Sequence, residues 1–271
     1  MEPCTTPGNV DSQVLTEKAL WFRTICRRNQ LFLGDAQLSL VDRYVEQLLA
    51  WNRKINLISR RDEGAVWERH ILHCTSLLFM LVIPPDIRYL DLGTGGGLPG
   101  LLLKILLPAS TGLLLDSTKK KVEAVEEMIA TLRLEKINAM WGRAEEMGRD
   151  EHELFGKFDV VFARAVAPLN ELVRLAWPFL KKPISDQAPE GGGRRKTELT
   201  APTLVALKGG DLEMEIAKAR RFKPVADIVV REIVFEGSEQ LGLLEKKVVV
   251  VRYAPTRSQG ETPREPIEKP L

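Results

Sequence analysis

The chain is poor in cysteine, nearly balanced in charge and without a long apolar run, and each shortage removes a class of protein. Its three cysteines, Cys4, Cys26 and Cys74, are odd in number and far apart. They lack the paired spacing of a metal site, so free thiols in a reducing compartment are expected, with neither a disulfide scaffold nor a metal. A net charge of +2 is too small to announce a polyanionic partner, though it permits one wherever basic residues cluster. Apolar runs such as residues 77–83 fall far short of the ~20 residues that span a bilayer, so no membrane partner is expected. The opening MEPCTTPGNVDS has neither the basic nor the apolar segment of a secretory signal, and the expected location is the cytoplasm. There is no internal repeat. With 44% hydrophobic and 28% charged residues, the composition is that of an ordinary globular chain, long enough to bury a sizeable core.

What the chain does have is a glycine-rich turn. Asp-Leu-Gly-Thr-Gly-Gly-Gly-Leu-Pro-Gly at 91–100 stands between two apolar segments, the order of a buried strand, a turn and a helix. Gly93, Gly95 and Gly97 lack a Cβ, so the backbone there can take positive φ and lie close to a ligand. Pro99 suits the first turn of the helix that follows. About 20 residues beyond such a turn, an acidic residue at the end of the next strand holds a ribose hydroxyl. Leu113-Leu114-Leu115-Asp116 supplies it. Together these features predict a nucleoside-containing cofactor without choosing between hydride and methyl transfer.

Some 80 residues of helical periodicity precede that turn. A first helix is expected from Asp11 to about Leu31, and a second carries Val41, Tyr44, Val45, Leu48 and Leu49 on one face and runs on through Leu57. A third is expected to start near Asp62 as N-cap. From residue 87 the pattern changes. Strands are predicted at 87–92, 112–116, 137–141, 158–163 and 203–208, with helices at 118–134, 168–180 and 211–221. Alternation of this kind builds a doubly wound parallel sheet of α/β class, with the ligand at the carboxyl ends of the strands. Residues 227–235 and 246–252 read as an antiparallel hairpin closing the sheet, the usual ending of class I S-adenosylmethionine-dependent methyltransferases. The expected organisation is a disordered 1–10, a helical region at 11–85, a Rossmann-like domain at 86–253 and a disordered tail at 254–271. A mobile loop is expected at 181–202, which is rich in Pro, Gly and charge.

Several strings resemble the bacterial 16S rRNA methyltransferase G (glucose-inhibited division protein B) family. They are Trp51-Asn52-x-x-x-Asn56-Leu57, Arg69-His70-Ile71-Leu72, DLGTGGGLPG at 91–100, LLDSTKKK at 114–121, Gly142-Arg143-Ala144-Glu145-Glu146, FDVVFARAVAPL at 158–169 and Ala206-Leu207-Lys208-Gly209. The resemblance implies methylation of guanine N7 in 16S rRNA of the small ribosomal subunit, with S-adenosylmethionine as cofactor; a monomer is expected. It places cofactor contacts at Gly93, Leu98, Ala144, Glu145 and Arg164, to which the residues themselves add Gly95, Gly97 and Asp116. The expected RNA-facing set is Arg143, Lys208, Asn56, His70 and Arg69, near further basic residues at Arg53, Lys54, Arg60 and Arg61. Where the family has an acidic residue and Ser, this chain has His73-Cys74.

Guanine N7 presents an unprotonated lone pair, so the implied chemistry needs no general base, and its catalysis is positioning. The strings fit. After the fourth strand stands Ala163-Arg164-Ala165-Val166-Ala167-Pro168 rather than the Asn/Asp-Pro-Pro-aromatic string of amino-methylating enzymes, and no cysteine nucleophile lies there. Two other readings stay open from the residues: an NAD(P)-dependent oxidoreductase, and a noncatalytic rRNA-binding module with a relict turn.

Overall fold

The computed structural model describes residues 15–149, 153–181, 197–239 and 245–254. The expected disorder of 1–10, almost all of the expected tail at 254–271 and most of the expected loop at 181–202 lie outside these residues.

A seven-stranded sheet organises the molecule, built from β2 (Arg88–Leu92), β3 (Thr111–Asp116), β4 (Ile137–Trp141), β5 (Val160–Arg164), β7 (Thr203–Gly209), β8 (Val225–Glu232) and β9 (Lys246–Tyr253). The spatial order is β4-β3-β2-β5-β7-β9-β8. The first five are mutually parallel, and β9 and β8 close the sheet antiparallel. This is the class I methyltransferase architecture, with a helical extension before it. Central strands are covered on both faces, which is why they read as continuous Leu/Val/Ile runs. The chain turns outward in opposite directions from β2 and β5, so a crevice opens at their carboxyl ends.

Helices α4 (Gly100–Leu106), α5 (Lys119–Thr131), α6 (Ala144–Met147), α7 (Leu169–Ala176) and α8 (Glu213–Ala219) fill the crossovers. Before the sheet come α1 (Glu17–Arg28), α2 (Asp35–Asn52) and α3 (His73–Met80), and then a two-residue strand β1 (Leu81–Val82). The prefix is not a separate body. Phe22, Leu38, Leu48 and Ile71 share one apolar cluster with Leu101, Phe162 and Val250 of the sheet and its helices.

Two departures from expectation in the prefix have a visible cause, and one side chain explains the first. The second helix stops at Asn52 rather than continuing to Leu57, because the buried Asn52 captures the chain beyond it. Its Oδ1 accepts from the backbone N–H of Leu57 at 2.8 Å and of Ile58 at 2.9 Å, and its Nδ2 donates to Glu63 Oε1 at 2.6 Å. The side chain thus replaces a helical carbonyl and fixes residues 53–58 as a loop. The third helix starts not with Asp62 as cap but with a 3-10 turn at Arg60–Ala65, a π-helical turn at Trp67–Leu72 and then α3. The Asp62 carboxylate is used elsewhere. A short parallel pairing, Leu81–Val82 with β6 (Thr197–Glu198), was not expected within the 181–202 stretch.

Candidate functional site

The glycine turn is held from three sides. Gly93, Gly95 and Gly97 adopt φ of +69°, +58° and +91°. The N–H groups of Gly93 and Thr94 donate to the Leu115 carbonyl at 2.8 and 3.0 Å, tying the turn to β3. Gly95 N–H donates to Asp116 Oδ2 at 3.0 Å, and Thr118 N–H to Asp116 Oδ1 at 2.8 Å. Asp116 therefore supports the turn, while each of its oxygens keeps capacity for a further donor. The Tyr44 hydroxyl donates to the Gly96 carbonyl at 2.8 Å. Pro99 precedes α4 as its cap residue rather than standing in its first turn.

At the carboxyl ends of β2, β3 and β4 lies a cavity of about 280 Å³, lined among others by Gly93, Asp116, Ser117, Arg143, Ala144 and Glu145. Four of the expected cofactor residues thus meet there, and Arg143, expected to face RNA, lies with them. Gly95, Gly97 and Leu98 are not on its wall. Gly95 supports the turn through Asp116. A Cβ on Gly97 would stand 2.9 Å from Leu101, and the Leu98 side chain is buried in the core.

A second cavity of about 410 Å³ is lined by Asp62, Arg69, His70, His73, Arg164, Lys208 and their neighbours. Arg164, implied by the resemblance as a cofactor contact, lines this larger cavity and not the smaller one. Its guanidinium donates to Cys74 Sγ at 3.1 Å and to His70 Nδ1. An arginine can only donate, so His70 Nδ1 is the bare nitrogen and its proton sits on Nε2. Nε2 is 3.4 Å from Asp62 Oδ2, a contact too long for a strong hydrogen bond, and the other Asp62 oxygen binds Arg69. Burial, and then the Arg164 charge, push the His70 pKa down to about 4. His70 is thus a neutral acceptor orienting Arg164. His73 is buried beside it, its pKa lowered to about 3 by burial first and by Arg164 second.

Three consecutive residues are divided between the two linings. Arg164 and Ala165 face the larger cavity, and Val166 faces the smaller. Ala165 holds φ of +55°, a left-handed conformation that costs a non-glycine residue about 1 kcal/mol and is retained where the surroundings dictate it. Val166 presses on the turn so closely that a Cβ on Gly93 would lie 2.5 Å from its Cγ2.

The other RNA candidates are dispersed. Lys208 lines the larger cavity, but its Nζ is bound to Glu215 at 2.9 Å and to the Ala167 carbonyl at 3.1 Å. It pins the segment after β5 as much as it offers charge. Arg69 is exposed at the same rim. Asn56 lies apart, in an open groove formed by Asn56–Arg60. Among the described residues no His, Cys, Asp and Glu side chains gather as a metal-holding group, and no helix is long and apolar enough to cross a membrane.

Asp91, at the end of β2, was not singled out from the sequence, although it opens the glycine string. Its Oδ2 accepts from Thr94 Oγ1 at 2.6 Å and Gly100 N–H at 2.9 Å. Oδ1 is buried with no hydrogen-bond partner among the described residues. Burial raises its pKa from 3.8 to about 6, against the lowering pull of the two hydrogen bonds and of Arg164. A raised carboxyl pKa means that the folded protein keeps a proton the unfolded chain has lost. Its contribution to stability is therefore greatest below about pH 4 and declines as pH rises through 4–6, by on the order of 3 kcal/mol. Asp91→Asn removes this decline. Urea unfolding at pH 4 and pH 7 should show a smaller pH difference in the variant than in the parent; equal differences would mean that Asp91 is ionised throughout.

Comparison with known proteins assigns the family. The model of the family described as rRNA small subunit methyltransferase G matches residues 37–185. The ribosomal RNA small subunit methyltransferase G of Chlorobium luteolum is 39% identical over 208 residues, covering 76% of each chain. That of Moorella thermoacetica is 35% identical over 179 residues, covering 66% of this chain and 74% of its own. That of Chlorobium phaeobacteroides is 33% identical over 233 residues, 85% of this chain and 94% of its own. Among solved structures, a fibrillarin/Nop5p complex aligns at a TM-score of 0.47 with 14% identity, over 70% of this chain and 83% of that one. The three methyltransferase G relatives do not favour the oxidoreductase reading. On the family model and the identities together, this chain belongs to the rRNA small subunit methyltransferase G family.

Proposed function

We propose that the protein transfers a methyl group from S-adenosylmethionine to N7 of one guanine in 16S rRNA, presented in the small ribosomal subunit or its RNA. The observation that carries this reading is the pair of cavities whose linings meet along the chain after β5, at Arg164-Ala165 for one and Val166 for the other.

The residues of the smaller cavity fit a nucleoside sulfonium. Gly93, on its wall, takes a positive φ and lets Val166 close on the turn where a Cβ would lie 2.5 Å from Val166 Cγ2. Asp116 has free lone pairs at the end of β3 for ribose hydroxyls, and Ala144-Glu145 after β4 supply a backbone and a carboxylate for an adenine amine. When bound, the cofactor supplies an electrophilic methyl carbon. The chain's own task is to hold, orient and exclude water. Guanine N7 attacks with an existing lone pair, so no side chain needs to remove a proton. The larger cavity takes the base, with Arg164 donating to its edge, and the exposed Arg69, Arg60 and Arg61 attract phosphates. Alignment of this kind accounts for roughly 7–11 kcal/mol of a barrier.

Transfer of a labelled methyl group to unmodified small-subunit rRNA and to the assembled particle tests the reading, with the product identified by mass spectrometry. A single N7-methylguanine is expected. Label on a ribose, an exocyclic amine or a pyrimidine would sink it.

A further inference from the structure

We propose that Glu215 is a positioning residue, whose carboxylate braces the segment after β5 and so sets how donor and base are aligned. This rests on the reading that the smaller cavity holds the donor and the larger one the base.

Residues 165–168 supply lining to both cavities with little backbone support. Outside the strand ladders, no backbone–backbone hydrogen bond engages Ala165, Val166 or Ala167 among the described residues. Ala165 is left-handed, at φ of +55°, a conformation that persists only where neighbours impose it. Just beyond, α7 begins with Pro168 as its cap residue, which offers no side-chain hydrogen bond to the first turn.

Glu215, on α8, meets both needs. Its Oε2 accepts from Leu169 N–H at 2.6 Å, capping α7, and from Lys208 Nζ at 2.9 Å. Lys208 in turn donates to the Ala167 carbonyl at 3.1 Å. One carboxylate oxygen therefore ties the segment down on either side of Pro168, directly at Leu169 and through Lys208 at Ala167. At the other end, Arg164 is held by His70 and Cys74. Val166 is spanned by these anchors where it presses on Gly93.

The Lys208–Glu215 pair is not an ordinary surface ion pair. The two side chains are only 14% and 29% exposed, and the carboxylate also holds a backbone donor, so the bonds are charge-assisted and shielded. Burial would raise the Glu215 pKa, but Lys208 and the Leu169 N–H outweigh it and hold the carboxyl below its ordinary range. The brace is thus charged at neutral pH. Glu215 itself lines neither cavity, so it acts through Lys208 and Leu169. A transfer that needs no proton movement depends on alignment, and a misplacement of about 1 Å costs on the order of 100-fold. Loosening residues 165–166 would shift lining in both cavities at once. The loss should therefore fall on the rate with both ligands bound.

The test compares the parent with Glu215→Ala, Glu215→Gln and a control, Asp227→Ala. The control breaks the Arg252–Asp227 pair at 3.1 Å on β9 and β8, and Asp227 lines neither cavity. Two quantities are read. One is amide hydrogen exchange across residues 165–169 without ligand. The other is the single-turnover rate of methyl transfer to small-subunit rRNA with S-adenosylmethionine and RNA both saturating. In Glu215→Ala, exchange should quicken at least about tenfold and the rate should fall about 10- to 100-fold. Dissociation constants for both ligands should change less than about threefold. Glu215→Gln keeps an acceptor oxygen without the charge and should show smaller changes of the same kind; it decides if the alanine variant does not fold. The control should match the parent in both quantities. Unchanged exchange at 165–169 overturns the brace. Quickened exchange with a parent-like rate, or a loss confined to ligand affinity, overturns the positioning role, as does an equal rate loss in Asp227→Ala. No transfer by the parent protein is a different failure: it removes the methyltransferase reading itself, and this proposal with it.

Discussion

Gly93→Asp is expected to eliminate binding of S-adenosylmethionine measurable by calorimetry, while leaving the far-ultraviolet circular dichroism of a folded α/β protein. Two costs fall on one atom. Gly93 sits at φ of +69°, where a side chain is strained by about 1–2 kcal/mol. Its Cβ would lie 2.5 Å from Val166 Cγ2, and overpacking of that kind costs about 1–3 kcal/mol. The new carboxylate would also enter the cavity beside Asp116. Since every 1.4 kcal/mol is tenfold in affinity, a loss of at least about 100-fold is expected. Gly210→Ala provides the control. Gly210 has φ of +71°, and a Cβ there would meet no atom within 4 Å, so this variant should lose stability from strain and keep its affinity. Unchanged donor affinity in Gly93→Asp would remove the turn from the cofactor site.

Arg164→Ala separates the two cavities. Expected is a fall of roughly 100-fold or more in kcat/KM for rRNA, with the dissociation constant for S-adenosylmethionine changed less than about threefold. The guanidinium is held in place by His70 and Cys74, in the cavity that Lys208 also lines. Removing it takes a part-buried donor from the larger cavity and leaves His70 Nδ1 unpaired. Arg164→Lys should recover little, because a single ammonium cannot reproduce the planar fork that reaches both partners. If donor affinity falls in proportion to transfer, Arg164 belongs to the cofactor after all, as the family resemblance implies.

Much of this was legible in the chain, and what was not shares a cause. The strands could be found because buried parallel strands need apolar runs, and Leu90, Leu114 and Val161 supply them locally. The glycine turn and Asp116 could be paired because their spacing follows from one βαβ unit. Missed features depend on partners that periodicity does not bring together. Asn52 looks like one more helical residue until its side chain is seen holding Leu57 and Ile58. Asp62 looks like a cap until Arg69 and His70 are seen to engage it. Arg164 meets His70 and Cys74 across 94 and 90 positions of chain. No periodicity encodes a guanidinium suspended between an imidazole and a thiol. The only local signal there was the unusual His73-Cys74 pair.

The contact between α2 and the glycine turn has a consequence for reading mutants. Tyr44 bonds to Gly96, while Leu48 and Leu57 crowd it so closely that a Cβ on Gly96 would lie 2.6 Å from Leu48 Cδ1. The floor of the glycine turn is thus supplied by residues about 40–50 positions upstream of it. A lesion in α2, far from any ligand, should register as weakened donor affinity and lowered thermal stability together, and would pass for an active-site defect in any assay that follows activity alone.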